Sequence, residues 1–189
     1  MHLAEGFLAT LAVREDAVTQ DALLDLANAL QKRFIDRQHG VMMEKPLGAV
    51  DNWFEPGHQF EWFFLLESSD LLRGTPLHAS LNKAFSYAEQ KGVDNLTGAV
   101  SGMLALDGSL RDGTQRIWAQ AEYLRALTLR VDNSAHLQRQ LAALQQHFLH
   151  PGGWHECLDA KGEVSRRDMP STTPYHLATC LSGLADYFG

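Results

Sequence analysis

Cysteine is scarce. Cys157 and Cys180 are the only two, without zinc-ligand spacing and too few for a disulfide scaffold, so reduced thiols in a cytoplasmic protein are the expectation. Basic charge is short as well: 16 Lys and Arg against 23 Asp and Glu leave a formal net charge of −7. That balance offers no electrostatic footprint for nucleic acid and suits a neutral or weakly charged small ligand. No run approaches the roughly 20 apolar residues of a membrane span. Met1-His2-Leu3-Ala4-Glu5 has no basic stretch leading into an apolar one, so neither membrane association nor a targeting segment is expected. A phosphate-binding loop and a Gly-rich strand-to-helix dinucleotide fingerprint are also missing, which leaves nucleotide cofactors without support. His147 and His150 have a spacing that superficially resembles a metal pair, but they lie near a helix end with no third ligand nearby in sequence, so surface or capping roles are expected of them.

The 189 residues, 45% of them hydrophobic, suffice for a single domain with its own core over 1–189. Apolar residues recur at helical spacing through Leu3, Phe7, Leu8 and Leu11, and again through Leu23, Leu26, Ala27, Leu30 and Phe34, with a turn at Glu15-Asp16. The same periodicity predicts helices over His58–Leu72, Pro76–Gln90, Asp112–Arg130, Ala135–Phe148 and Thr173–Phe188, about seven in all. Short loops between neighbours suggest stacked αα-hairpins, an all-α fold. Three longer Gly-containing connections, Gly40–Gly57, Gly98–Gly108 and Pro151–Pro170, separate the pairs. The alternation from Val100 to Leu106 ahead of Asp107-Gly108 reads as a short strand entering a turn. Loops gathered at one end of a helical scaffold are a common place for binding and catalytic groups.

Three clusters could carry chemistry. In Glu55-Pro56-Gly57-His58-Gln59-Phe60-Glu61-Trp62, a loop delivers His58 to the first turn of a helix, and Glu61 projects from the same face three residues on. An imidazole beside a carboxylate is suited to proton transfer near neutral pH. A histidine simply hydrogen-bonded in the core explains the motif as well. In Asp168-Met169-Pro170-Ser171-Thr172-Thr173-Pro174-Tyr175-His176 a second histidine enters near a helix start, and the hydroxyl run suits N-capping. In Arg116-Ile117-Trp118-Ala119-Gln120-Ala121-Glu122, Trp118 and Glu122 share a helix face at i,i+4. An aromatic plate beside a carboxylate suits a sugar, and core packing of Trp118 is the alternative. Trp154, in a long connection, could line a pocket or pack at a strand edge.

Taken in order, these three motifs resemble the N-acylglucosamine 2-epimerase superfamily, which includes cellobiose 2-epimerases, mannose isomerases and sulfoquinovose isomerase relatives. The opening Met1-His2-Leu3-Ala4-Glu5 is similar to the family segment that carries a histidine into the barrel. The resemblance spans essentially the whole chain and implies an (α/α)6 toroid. Seven helices against the twelve of a closed ring imply about its C-terminal half, with short β-hairpin-like connections at one mouth. It further implies a free-sugar isomerase or 2-epimerase in which His58 and His176 exchange protons at C2 and the ring oxygen through a cis-enediolate. Glu61 would hold a histidine or the substrate, His2 would steady the enediolate oxygen, and Trp118 and Trp154 would be sugar platforms, with Glu122 beside Trp118 accepting from hydroxyls. The resemblance implies no metal or redox cofactor. Ala119 departs from the proline many relatives carry there.

An open half-ring exposes an apolar face, so a homo-oligomer or a missing N-terminal half is the expected completion. Two other readings stay open: a non-catalytic remnant that binds carbohydrate or a protein partner, and a glycosidase using Glu61 and Glu122 as its carboxylate pair.

Overall fold

Two helices are apolar almost all round, and that places them inside. Ten of the eleven residues of α5 (Ile117–Leu127) are buried, as are nine of the twelve of α3 (Pro56–Glu67). A helix buried on every side needs neighbours on every side. In the computed structural model, which describes residues 1–130 and 134–189, α3 packs against α5 and α4 (Pro76–Gly92). Helix α5 in turn packs against α6 (Ser134–His147) and α7 (Thr173–Phe188). Helices α1 (His2–Val13) and α2 (Ala17–Arg33) form a further hairpin, and α2 leans on α4.

The result is two rows. Odd-numbered helices line one side, and α2, α4 and α6 back them with one apolar stripe each: α2 buries only Leu23 and Ala27, and α6 only Leu137, Gln140 and Leu144. Seven helices occur among the described residues, as the periodicity predicts. Phe60, Phe63, Phe85 and Tyr123 form the aromatic centre between the rows, with ring centroids 4.4 to 5.2 Å apart for neighbouring pairs. Burying each such ring contributes about 1.5–3 kcal/mol.

Where α3 crosses α5 the backbones approach closely. A Cβ on Gly57 would lie 2.7 Å from the Ala119 Cβ and 2.8 Å from the Trp118 ring. Only glycine fits without moving one helix. Pro56, at the first position of α3, has its fixed φ suited to a helix start and its missing N–H harmless there.

The long connections carry short antiparallel ribbons. Strand β1 (Met103–Leu104) pairs with β2 (Leu110–Asp112), β3 (Gln115–Arg116) with β6 (Cys157–Leu158), β6 with β7 (Val164–Arg166), and β4 (Leu149–His150) with β5 (Gly153–Trp154). Two expected boundaries need correction. The helix read from Asp112 starts at Ile117, because residues 110–116 are claimed by two ladders. The helix read to Leu72 ends at Glu67, whose carboxylate is held 2.8 Å from His78 Nε2 on α4. The strand read over Val100–Leu106 contracts to Met103–Leu104, and its turn at Asp107-Gly108 is present with Gly108 at φ 83°.

Candidate active site

The first turn of α3 presents His58, and the connection before it supplies the partner. Gln59 pins that connection from inside: its Oε1 accepts from the Met42 N–H at 2.8 Å and its Nε2 donates to the Met42 carbonyl at 2.9 Å. Glu44, two residues further on, is thereby set where the His58 Nδ1–H donates to its Oε1 at 2.8 Å. Burial alone would lower the pKa of His58. The hydrogen bond to Glu44 and the charges of Glu44, Glu55 and Glu61 outweigh burial and raise it.

His176, in the first turn of α7, repeats the arrangement with different parts. Its Nδ1–H donates at 2.7 Å to Oε1 of Glu122, a fully buried residue of α5. Here too burial works downward on the histidine, and the Glu122 bond and charge, with that of Glu61, carry the pKa up. The other Glu122 oxygen is 2.6 Å from Nη2 of Arg125, one turn along the helix and itself 3% exposed. That contact is an ion pair without a well-aligned hydrogen bond. The guanidinium also lies over the Phe64 ring, 4.3 Å from its centroid.

Trp118 stands between the two histidines, its ring 5.0 Å from His58 and 5.4 Å from His176. All three line one cavity of about 480 Å³, together with His2, Glu61 and Arg116. A carboxylate that occupies Nδ1 fixes the ring and leaves Nε2 for a substrate; neither Nε2 has a protein partner among the described residues. Glu61 is 1% exposed and neither of its oxygens has a hydrogen-bond partner among the described residues. Burial, reinforced by the nearby Glu122 charge, pushes its pKa up to about 7, against the opposing pull of His176 and His58. A group so placed can hold or release a proton near neutrality. Another cavity, of about 360 Å³, lies by Phe148 and Leu158 and contains no histidine–carboxylate pair.

Glu61, Glu122 and His176 have ligand-type atoms within 4.8 Å of one another, as do Glu44, Glu55 and His58. In both triads the histidine Nδ1 is already bonded to a carboxylate, and Arg125 supplies the cation at Glu122. The geometry is that of two histidine–carboxylate dyads.

The sequence profile of N-acylglucosamine 2-epimerase (GlcNAc 2-epimerase) matches residues 1–180. The chain belongs to the N-acylglucosamine 2-epimerase family. A protein of Rhizobium meliloti (strain 1021) described as mannose-6-phosphate isomerase is 31% identical over 207 aligned residues, covering 98% of this chain and 54% of that protein. Among solved structures, a D-mannose isomerase superposes with a TM-score of 0.76 at 21% identity over 98% of this chain and 53% of its own. The cellobiose 2-epimerase from Bacillus thermoamylovorans B4167 gives 0.81 at 18%, over 98% and 52%. These structures fix the fold as part of an (α/α)6 toroid. The chain spans about half the length of the relatives it matches.

Within this N-acylglucosamine 2-epimerase family chain, His2, His58, Glu61, Trp118 and His176 meet at one cavity. Glu122 does not line it: the residue expected to accept from sugar hydroxyls is sealed behind His176. Trp154 is not in the wall either. Its indole N–H donates to Glu156 Oε2 at 3.1 Å, and Glu156 accepts from the Thr173 hydroxyl at 3.0 and 2.9 Å. That bond also removes Thr173 from the expected capping set; Thr172 is the N-cap residue and its side chain makes no cap bond. Glu61, expected to hold a histidine or the substrate, makes no hydrogen bond to a histidine among the described residues. His2 is largely exposed and bonds Glu5 at 2.8 Å, and Glu5 also accepts from the Tyr175 hydroxyl, tying α1 to α7.

Glu44, Arg125 and Glu156 carry weight that the motifs did not reveal. Arg125 had a readable signal, an acid and a base at i,i+3 on an otherwise apolar helix. Glu44 had none, because no period links an irregular connection to a helix fourteen residues away.

Proposed function

We propose that this chain carries the proton-transfer apparatus of a sugar isomerase or 2-epimerase acting on a free hexose or hexosamine. The observation that supports it best is the matched pair of histidines, each bonded through Nδ1 to a carboxylate and both bordering one cavity across Trp118. In this reading one histidine protonates the ring oxygen as the C1–O5 bond breaks and the anomeric O1–H gives its proton to solvent, and the other removes the C2 proton of the open aldose to give a cis-enediolate. Return of the proton to C1 gives the ketose, and return to the opposite face of C2 gives the epimer. Glu61 adjusts the proton inventory between them. His2 steadies the enediolate oxygen, and Trp118 offers an aromatic face to the sugar.

The dyads suit this chemistry because a raised histidine pKa makes a stronger base that still releases its proton near neutral pH. The carboxylate-pair alternative fits poorly. Glu122 is engaged by His176 and Arg125 behind the wall, where no glycosidic bond can enter between it and Glu61.

A closed toroid needs the other half of the ring, supplied in this reading by a second copy or by an N-terminal half. The same half-length favours the second reading, a non-catalytic remnant that binds carbohydrate or a protein partner. Solution mass followed by C2–H exchange of mannose and glucose in deuterated buffer separates the two. Deuterium at C2 in the wild type, and none in His58→Asn or His176→Asn, supports the isomerase. A folded protein that binds sugar and washes in no deuterium overturns it in favour of the binder.

A further inference from the structure

Arg125 has no place in the proton transfers above, yet it is the only arginine that is buried among the described residues. Its fork meets Glu122 at 2.6 Å, its plane covers Phe64 at 4.3 Å, and the Cβ a residue at Gly183 would carry falls 3.4 Å from its Cγ. The site therefore has room for this stem against α7 and an aromatic floor on α3. Cations are expensive to bury, and a surface pair would have sufficed to neutralise one acid.

We infer that Arg125 is a positioning residue that acts on His176 through Glu122: it orients the shared carboxylate that fixes the imidazole and offsets its charge, setting the pH at which His176 gives up its proton. The chain of contacts is Arg125 Nη2, Glu122 Oε2, Glu122 Oε1, His176 Nδ1, spanning α5 to α7. The other titratable groups near the dyad are Glu61 and, across Trp118, His58 from α3, Glu5 from α1, and Tyr175 and Cys180 on α7 itself. Glu61 acts on it by charge, and Tyr175 is held by its bond to Glu5. None of these hydrogen-bonds a ring nitrogen of His176, so among the described residues Glu122 is the only hydrogen-bonded relay into it.

Two opposing effects operate in the wild type. The carboxylate favours the imidazolium, and the guanidinium behind it opposes, by charge. Removing the guanidinium leaves the carboxylate with a single cation to face, His176, so the imidazolium is favoured more. His58 provides the internal control, since its carboxylate comes from Glu44.

The inference rests on the reading of His176 as a proton-transfer group, but its test requires no turnover. In the full chain, the titration of His176 and His58 is followed by NMR of the imidazole Cε1–H and ring nitrogens in wild type, Arg125→Met, Glu122→Gln and the double variant. Arg125→Met is expected to move the His176 midpoint upward by about one pH unit, with His58 unmoved. In the Glu122→Gln background the Arg125 change should have less than about a third of that effect. If Arg125→Met does not fold, Arg125→Gln, which keeps a polar end and removes the charge, is expected to shift His176 in the same direction by a similar amount. A His176 midpoint that stays put in whichever of these variants folds overturns the inference. So does an equal shift with and without Glu122. Loss of C2 exchange with these titrations intact would instead count against the proposed reaction.

Discussion

The two histidines are bonded alike and housed differently. His58 takes its carboxylate from a connection, and both partners remain partly open, with side chains 30% and 21% exposed. His176 takes its carboxylate from a buried helix, 54 residues away in sequence, and a second charge stands behind that carboxylate. The open dyad depends on the loop that holds Glu44. The closed dyad depends on helix packing and on a charge that water cannot screen. Nearly equal hydrogen-bond lengths therefore conceal unequal sensitivity.

The largest expected effect removes either imidazole. His58→Asn and His176→Asn should each lower C2–H exchange by about 10²–10⁴-fold, with the fold retained by circular dichroism. A loss confined to one of them would mean that the two dyads are not a functional pair.

Next comes the carboxylate of the closed dyad. Glu122→Gln leaves Arg125 as an unpaired buried cation and should destabilise by about 3–5 kcal/mol in a urea titration. A cost near zero would show that water reaches Arg125 and that the closed dyad is no more closed than the other.

A smaller effect tests the acid beside the closed dyad. Because the folded pKa of Glu61 lies above its unfolded value, the fold binds its proton more tightly, and stability falls as pH rises from about 4.5 through about 7. Glu61→Gln should therefore be more stable than wild type at pH 8, by roughly 1–3 kcal/mol, and no more stable at pH 4. The two histidines contribute with the same slope in a later window. Their stabilisation is full below pH 6.5 and fades as pH passes their raised folded values. Thermal melts across pH 4 to 9 separate the contributions.

The smallest effect falls on the open dyad. Glu44→Gln should change stability by about 1 kcal/mol or less, because both partners are solvated. It should move the rising limb of the exchange profile back toward the ordinary histidine range near pH 6.5. If Glu44→Gln costs as much as Glu122→Gln, the contrast between the housings fails.

Much of this was legible in the residues. Seven amphipathic or buried helices follow from spacing alone. His58 and His176 stand out because each opens a helix after a loop, and Trp118 because Glu122 follows it at i,i+4. Trp118 and Glu122 share a helix face as their spacing requires, but spacing does not tell which way the face turns, and the carboxylate faced a histidine instead of the solvent. The start of α5 was hidden for a related reason: Leu110 to Arg116 have apolar and polar residues where a helix would, and only pairing with Leu104 and Cys157 makes them strands. Glu44 and Trp154 lie in connections whose course is decided by distant contacts, Gln59 to Met42 in one case and Glu156 to Thr173 in the other.

At Gly57, α3 crosses α5 with no side chain between the two backbones. The spacing of the two imidazoles depends on how near α3 can come to the helix bearing Trp118, and that approach is capped by a hydrogen atom. Alanine there would act as a shim of one methyl group, opening the gap while leaving every acid and base in the chain untouched. The dimension that matters most to the chemistry is thus gauged by a position with no chemistry of its own, one that a search for functional groups would pass over.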